Sequence, residues 1–357
     1  MKHDFDLEKK AFWFRRKGPD QDVVISSRAR LSRNLSGFPF PFQMNKDDED
    51  TAKRKVLEAV EKVSPPLGLE VYALDDMKAL ERKLLLERNI IPQDFSLLQN
   101  KALAMNDDGS VCLLVNETDH LKLVALKSGF DLEAAFESVD RIDSRLESLL
   151  DYAVSLEWGY LSPLITNIGT QLRVSYMLHL PALVFTSLIT KAVKTIASCG
   201  LSIKGFFSDD DESLGDMYQV SNQVCIGLTE NEIISNLREI VLQIVQYERR
   251  AREEMLEKEP IAVKDKIYRA LGVLLYAKSI GTKEAMNLLS LVKLGISLGL
   301  IQGLEMEQVT SLLFLCQKYH IQTLLGNIDE IDTKLIDYTR AKLIRESLEG
   351  FRTPGGE

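Results

Sequence analysis

The chain has 357 residues, of which 45% are hydrophobic and 27% are charged, and its formal net charge at pH 7 is -9. This length suits one large domain or two ordinary ones, and the composition is typical of a soluble globular protein. The acidic balance argues against a general nucleic-acid-binding protein, because phosphate contacts need a net basic face. The sequence has neither an apolar run of about 18 residues nor the apolar core of a signal peptide, so we predict a cytoplasmic protein with no membrane segment.

The first 258 residues are predicted to mix strands and helices. Residues 1–20 form a polar N-terminal arm that an aromatic triplet at 12–14 pins to the body. The strands are predicted at 23–25, 111–115, 120–126, 203–207 and 224–228, and the helices at 46–63, 77–88, 131–156, from about Gln171 onward, and from a capping box at Thr229 to about Glu257.

Only helical periodicity follows Pro260, with helices predicted at 267–278, 283–298, 306–319 and 333–348. Strands followed by helices indicate an α+β fold in two parts. We therefore predict a catalytic domain at 21–258 and an all-α domain at 261–350. The four cysteines are widely scattered and none has a histidine at metal-ligand spacing, so no metal site is predicted from them.

A cluster of positive charge follows the first strand, where Arg28, Arg30 and Arg33 lie in the run SSRARLSRN. Alternate residues of an extended segment share a face, so the side chains of Arg28 and Arg30 would project together. Two planar guanidinium groups can bind phosphate oxygens bidentately. On these residues alone, solvated arginines at a strand end are an equally good interpretation.

Several further motifs accompany that run: GFPFPF at 37–42, NETDH at 116–120, GYLSPLITNIGTQLRVS at 159–175 and KGFFSDDDESLG at 204–215. Together they resemble the ATP:guanidino phosphotransferases, the group that includes creatine kinases, arginine kinases and the bacterial protein-arginine kinases. The runs MLHLPAL at 177–183 and LIRESL at 343–348 favour the protein-arginine kinase branch. The resemblance implies a phosphagen-kinase-type catalytic domain, with an antiparallel sheet flanked by helices, and a C-terminal helical domain of the dimerisation or phosphoarginine-binding type.

The resemblance also implies an activity, the transfer of the γ-phosphoryl group of ATP, with Mg²⁺, to arginine side chains of proteins. Five family arginines surround the phosphates; Arg28, Arg30 and Arg173 match three of them, and the other two positions are Lys122 and Lys204. Lysine keeps the charge but loses the planar fork. Asn89 stands where the family has a histidine beside the base. The nucleotide-binding residues implied by the matching motifs are Ser26, Ser27, Arg28, Ala29, Arg30, Asn89, Lys122, Arg173, Val174, Ser175, Tyr176, Met177, Lys204, Gly205, Phe206, Phe207, Ser208 and Asp209.

The acceptor side departs further from the family pattern. Thr118 occupies the position of the catalytic glutamate, and a hydroxyl cannot take the proton of a guanidinium. Glu117 is adjacent, but strand alternation would turn its side chain the other way. The second carboxylate falls on Asp209, one methylene short, and the family cysteine is replaced by Leu164. Glu117 and Asp209 are thus the remaining candidates for catalysis, and we predict strongly reduced activity. In the family the metal is held largely by ATP phosphates and water, so we predict no protein ligand for it.

The last helix carries a partial match to a phosphoarginine-binding motif of protein-arginine kinases, with Asp337 and Arg340 retained and the first arginine lost. A helix with a salt-bridged face explains these residues equally well. The implied partners are arginine-containing protein substrates or a stress-response partner protein, and the helical domain could form a homodimer.

Three functions are compatible with the sequence. The first is a protein-arginine kinase of reduced activity. The second is a pseudokinase that binds nucleotide or phosphoarginine and docks a partner through its helical domain. The third, a kinase for free arginine or another small guanidine, would need a mobile lid over the acceptor site.

Overall fold

The computed structural model describes residues 12–97, 99–206, 213–326 and 332–349. Its main feature is an eight-stranded sheet with the strand order β2-β3-β4-β5-β1-β8-β10-β9, in which every neighbouring pair is antiparallel. The strands are β1 Val24–Arg33, β2 Glu70–Ala73, β3 Ala102–Met105, β4 Val111–Val115, β5 Leu121–Ser128, β8 Leu172–His179, β9 Leu201–Gly205 and β10 Met217–Asn222, and a separate hairpin is formed by β6 Val154–Ser155 and β7 Gly159–Tyr160.

Helices surround this sheet and make up the C-terminal region. The helices of the first part are α1 Lys46–Val63, α2 Ala79–Glu87, α3 Gln93–Leu97, α4 Leu132–Glu147, α5 Pro181–Phe185, α6 Ile189–Ser198 and α7 Glu230–Lys258. The C-terminal helices are α8 Pro260–Tyr276, α9 Thr282–Ser297, α10 Met306–Leu315, α11 Lys318–Leu324 and α12 Thr333–Ser347. No helix among the described residues is long and apolar enough to cross a membrane.

The two faces of the central strands differ in chemistry. On one face the fully buried side chains of Ala29 and Leu31 in β1 lie opposite Val174 and Leu172 in β8, and helix α4 packs against this face. Because side chains alternate along a strand, Arg28, Arg30 and Ser32 project from the other face. We call this second face the cationic face.

The C-terminal helices pack against the first part through buried aromatic and polar contacts. The ring of Phe14 stacks on that of Phe314 in α10 at a centroid distance of 4.6 Å, and Trp13 meets the same ring edge-on. Lys293 of α9 is fully buried, and its Nζ donates a 2.7 Å hydrogen bond to the carbonyl oxygen of Gln21. Trp13 and Phe14 thus contact the body, while the N-terminal arm at 1–20 stays a prediction.

The predicted architecture of an antiparallel sheet, flanking helices and a C-terminal helical region is confirmed. Helix α1 begins and ends where the sequence predicts, and the Thr229 capping box at the start of α7 is present. The division into domains at 258–261 stays a prediction, although α7 ends and α8 begins on either side of Glu259.

The helix predicted at 306–319 is divided into α10 and α11, and four predicted elements of the first part were wrong. The segment from Gln171 is the central strand β8 and not a helix, because β1 and β10 satisfy its backbone on both sides. The strand predicted at 224–228 lies earlier, at β10, and the helix predicted at 131–156 ends at Glu147. The first strand does not stop before the arginines but contains them.

Candidate functional site

The cationic face brings together residues that are far apart in the sequence. Arg30 of β1 lies directly opposite Arg173 of β8, while Lys122 of β5 lies opposite Ser32, two residues further along β1. These side chains border a cavity of about 190 Å³. Its lining consists of Arg30, Ser32, Lys122, Leu164, Thr166, Asn167, Gln171 and Arg173. Three of the predicted phosphate-binding cations therefore share one cavity.

Arg28 lies further along the same face, one level of the sheet from the Arg30–Arg173 pair. It is half-buried, and its Nη1 donates a 3.3 Å hydrogen bond to Oδ1 of Asn89. Asn89 follows α2 and adopts a left-handed backbone conformation with φ 58°, which asparagine tolerates better than most residues. The structure thus brings Asn89, the residue predicted beside the base, into contact with Arg28, the first of the predicted phosphate-binding arginines.

The positive charges on this face repel one another. Burial, followed by the charges of Arg28 and Arg173, lowers the pKa of the Arg30 guanidinium to about 9, and Glu117 offsets this only in part. Burial also lowers the pKa of Arg28. A cation whose pKa is depressed in this way is destabilised, and a bound anion would stabilise it. The face is therefore suited electrostatically to phosphate groups.

Glu117 lies on the cationic side of the sheet, contrary to the prediction from strand alternation. Its carboxylate forms an ion pair with Lys122, in which both side chains are about nine-tenths buried, and accepts a 2.8 Å hydrogen bond from the backbone N–H of Thr118. The alternation fails because Asn116 has φ 59°, which turns the backbone before Glu117.

The ion pair sets the charge state of Glu117. Although burial acts to raise its pKa, the charge and hydrogen bond of Lys122 and the N–H of Thr118 together hold it below the ordinary value. Burial lowers the pKa of Lys122 and the carboxylate counteracts that effect. Glu117 is therefore an ionised, paired carboxylate, whereas an efficient general base has a pKa near the working pH.

The loop between β7 and β8 contributes Leu164, Thr166 and Asn167 to the lining of the cavity. Tyr160 donates its backbone N–H to the carbonyl oxygen of Gly169 at 2.9 Å. A Cβ on Gly169 would lie 3.0 Å from the carbonyl oxygen of Cys225, and its φ of 109° also favours glycine. This close approach holds the loop against the 223–229 segment. Leu164 lies in this loop, is 47% exposed and places an apolar side chain at the cavity mouth.

His120 and Asp119, the last two residues of the NETDH run, are buried and form hydrogen bonds with neighbouring side chains. His120 is fully buried, and its Nδ1 lies 2.8 Å from Oδ1 of Asn34. Asp119 accepts hydrogen bonds from Nδ2 of Asn34 at 2.7 Å and from Oγ of Ser162 at 3.0 Å. Burial lowers the pKa of His120 to about 4, so a neutral imidazole holds the turn that carries Glu117.

Some residues implied by the matching motifs face away from the cavity. The side chains of Ser27, Ala29, Val174 and Tyr176 belong to the helix-covered face, where Ser27 donates to the carbonyl oxygen of Gly129 and Tyr176 stacks on Phe130. Their side chains point away from the cavity because a contiguous motif on a strand alternates between the two faces, and their role as nucleotide contacts stays a prediction. Ser26, Ser175 and Met177 do belong to the cationic face.

Lys204 lies on the same face but far from the cavity. It pairs in register with Gln219, which in turn pairs with Met177, two strands and four residues away from Arg173. Strand spacings place these two Cα atoms roughly 16 Å apart. Gly205 and Phe206 follow Lys204, whereas the predicted residues Phe207, Ser208 and Asp209 lie outside the described residues.

Arg340 of α12 is 1% exposed, and its guanidinium forms interactions within the C-terminal helices. Its Nε donates to the carbonyl oxygen of Cys316 at 2.6 Å, its Nη1 donates to that of Ile280 at 2.7 Å, and it pairs with Asp337. This arrangement matches the structural interpretation of the motif, a helix with an internal salt bridge. A phosphoarginine site at these two residues stays a prediction.

Sequence reasoning missed the neutral residues of the cavity: Ser32, Thr166, Asn167 and Gln171. All four lie in the motif runs quoted above, yet none has a charge that would single it out. Among the described residues, no group of three or more histidine, cysteine or acidic side chains is placed to hold a metal ion.

Two models of known protein families match this chain. A family model described as the ATP:guanido phosphotransferase C-terminal catalytic domain matches residues 51–251. The chain belongs to this family. A second model, described as the C-terminal domain of the protein-arginine kinase McsB, matches residues 260–356.

Several full-length relatives of the same family carry the name protein-arginine kinase. The chain is 39% identical over 337 residues to the protein-arginine kinase of Halothermothrix orenii. This alignment covers 94% of this chain and 96% of the relative. It is 38% identical over 343 residues to the protein-arginine kinase of Desulforamulus reducens. This alignment covers 95% of this chain and 96% of the relative.

Solved structures with low sequence identity show the same fold. A duplicated taurocyamine kinase from Schistosoma mansoni with bound transition-state-analogue components aligns with a TM-score of 0.60 at 19% identity, over 76% of this chain and 40% of that chain. A lombricine kinase aligns with a TM-score of 0.57 at 20% identity, over 69% and 70% of the two chains. The predicted family and fold are both confirmed.

Proposed function

We propose that this chain binds ATP along the cationic face and transfers its γ-phosphoryl group slowly to arginine side chains of other proteins. The observation that carries the proposal is the Arg30–Arg173 pair beside Lys122 in one cavity. The name shared by the full-length relatives supports arginine side chains of proteins as the acceptor.

The arginines of the cationic face would bind the triphosphate. Phosphoryl transfer depends mainly on positioning and on stabilising the charge that spreads over the phosphoryl oxygens. Arg28, Arg30 and Arg173 offer planar forks for this purpose, and Lys122 adds a point charge at the end of the row. Mg²⁺ would neutralise charge between the phosphates, held by their oxygens and by water rather than by a protein cluster.

The acceptor nitrogen would then attack the γ-phosphorus as the bond to the ADP oxygen breaks, and one guanidinium proton must leave. Glu117 is the remaining candidate for this step among the described residues, and it is paired with Lys122, which lines the cavity. Because its pKa is held low and its charge is already paired, it is a weak base, and Thr118 cannot replace it. Slow transfer is the expected consequence.

An intact-mass assay tests this function directly. The purified chain is incubated with ATP, Mg²⁺ and an arginine-rich protein, and the control is the same protein with every arginine replaced by lysine. We expect slow gain of one phosphoryl mass on the first substrate and none on the second. Rapid and complete modification would contradict the weak base, and equal modification of both substrates would contradict the acceptor.

The Glu117–Lys122 ion pair favours a second candidate, a pseudokinase that binds nucleotide without transferring phosphate. In this pair a carboxylate and a cation that phosphoryl transfer would need free are bound to each other. The apolar Leu164 also lines the cavity where the acceptor would enter. Its partner would be a stress-response protein bound by the C-terminal helices, which could also form a homodimer. Saturable ATP binding with no mass gain over a long incubation would identify this function.

A further inference from the structure

Gln171 combines three features that are each unfavourable for stability. Its backbone adopts a left-handed conformation with φ 55°, which a glutamine rarely occupies. Its side chain is only 2% exposed. Neither Nε2 nor Oε1 has a hydrogen-bond partner among the residues that the structure describes. A buried unpaired amide is uncommon in a folded protein, and a ligand is one reason to retain it.

The position of Gln171 defines which part of a ligand it could touch. It borders the cavity together with Arg30, Ser32 and Lys122, and its carbonyl oxygen accepts a 3.4 Å hydrogen bond from the backbone N–H of Ser32. Along the sheet, Arg28 comes first, the Arg30–Arg173 pair second, and Ser32 with Lys122 third. Gln171 lies at this third level, next to the loop that carries Leu164. It therefore lies at the level of Lys122, one level beyond the Arg30–Arg173 pair.

The chemistry of the neighbouring groups indicates which atom of the amide is used. Arg30, Lys122 and Arg173 already supply hydrogen-bond donors for phosphoryl oxygens at this end. A guanidinium has only donors and needs acceptors around it. The carboxylate of Glu117 is paired with Lys122, so its capacity to accept is partly used. The Oε1 of Gln171 is an acceptor without a partner among the described residues, at the level where an acceptor arginine would enter.

We propose that Gln171 binds the substrate arginine, with its Oε1 accepting an N–H of the guanidinium and orienting the nitrogen toward the γ-phosphoryl group. This inference rests on the proposed function and deepens it. A neutral amide cannot take the proton, so Gln171 orients the substrate without acting as the base.

Binding measurements on the full chain test this role without requiring turnover. The probes are an arginine-containing peptide, its lysine-substituted counterpart and a non-hydrolysable ATP analogue, each measured by calorimetry. The variant Gln171→Met keeps the length of the side chain and removes its hydrogen bonds. We expect the variant to bind the arginine peptide about 10-fold more weakly, with the affinity for the ATP analogue unchanged.

A second variant separates the amide from the backbone. Gln171→Gly relieves the left-handed conformation, so its thermal midpoint should be at least that of the wild type, yet it should lose peptide affinity as Gln171→Met does. Weaker nucleotide binding with unchanged peptide binding in Gln171→Met would overturn the proposal, since the amide would then serve the phosphates. Unchanged binding of both probes, or a wild-type chain that does not prefer the arginine peptide, would also overturn it.

The two proposals fail in different ways. If the wild-type chain binds the arginine peptide through Gln171 but transfers no phosphoryl group, the transferase function fails and the binding role stands. If transfer occurs and Gln171→Met leaves the KM for the peptide unchanged, the binding role fails and the transferase function stands.

Discussion

Arg30 and Arg173 lie directly opposite each other across the β1–β8 pairing, so that two guanidinium groups share one level of the sheet. Like charges placed directly opposite across strands destabilise a sheet. Burial, followed by the charges of Arg28 and then Arg173, lowers the pKa of Arg30 to about 9. The pair lies in the eight-stranded sheet, and the proposed function supplies an anion that would offset its repulsion.

The first prediction concerns this repulsion. Arg173→Met should raise the thermal midpoint in phosphate-free buffer, because it removes one of two facing positive charges. Saturating ATP should stabilise the wild type by about 2.7 kcal/mol at 100 times its Kd and the variant much less. Thermal unfolding with and without ATP measures both effects. The matched control is Arg269→Met, which removes an exposed arginine of α8 and should leave the ATP-induced shift intact.

The second prediction concerns the ion pair of Glu117. Glu117→Gln removes a negative charge beside Lys122 and the arginines, so nucleotide affinity should rise severalfold while phosphoryl transfer falls. A nucleotide titration and the intact-mass assay give the two readouts. Lys122→Met should lower nucleotide affinity instead, because it removes a cation from the cavity. Parallel changes in the two variants would show that the pair acts only as a structural contact.

The third prediction concerns Thr118, the residue that follows Glu117. Thr118→Glu places a second carboxylate beside Glu117, and one that is not paired with Lys122 can act as a base. Transfer should rise by about 10-fold or more, since a general base contributes roughly 10²- to 10⁴-fold. Thr118→Gln, which has the same shape without the charge, should not increase it. An unchanged rate in Thr118→Glu would place the main defect elsewhere.

The fourth prediction concerns pH and His120. Its folded-state pKa of about 4 lies below the ordinary value of about 6.5, so between these values the unfolded chain binds more protons. The stability contributed by this site is therefore complete above pH 6.5 and is lost as the pH falls toward 4, with a slope of up to about 1.4 kcal/mol per pH unit. Urea unfolding of the wild type and of His120→Gln at pH 7 and pH 5 measures this loss of stability. The variant should lose less stability between the two pH values; an equal loss would refute the assignment.

The fifth prediction concerns Arg340. Its buried guanidinium bonds two carbonyl oxygens and Asp337, so Arg340→Met should lower the free energy of unfolding by about 3 kcal/mol. Asp337 is more exposed, and Asp337→Asn should cost less. Chemical unfolding gives the comparison. If Arg340→Met is as stable as the wild type and loses binding of a phosphoarginine peptide, the arginine serves a ligand rather than the helix packing.

Elements with strong local signals could be predicted from the sequence. Helix α1 has apolar residues at helical spacing after an asparagine cap, and α7 begins at the Thr229–Glu232 capping box. Such signals act within a few residues, so they do not depend on the rest of the fold. The strand β8 was mispredicted because its neighbours β1 and β10 are distant in the sequence and supply the hydrogen bonds that hold it extended.

The sequence by itself determined the family and the kinds of side chain in the matching motifs, including Thr118 and Leu164, where the resemblance implies a carboxylate and a thiol. Only the tertiary structure decided which of these residues meet. Strand pairing places Arg30 against Arg173 and sends Ser27 and Val174 to the other face, while the turn at Asn116 brings Glu117 to Lys122. Register and backbone turns set the direction of a side chain, and both depend on contacts between segments that are far apart in the chain.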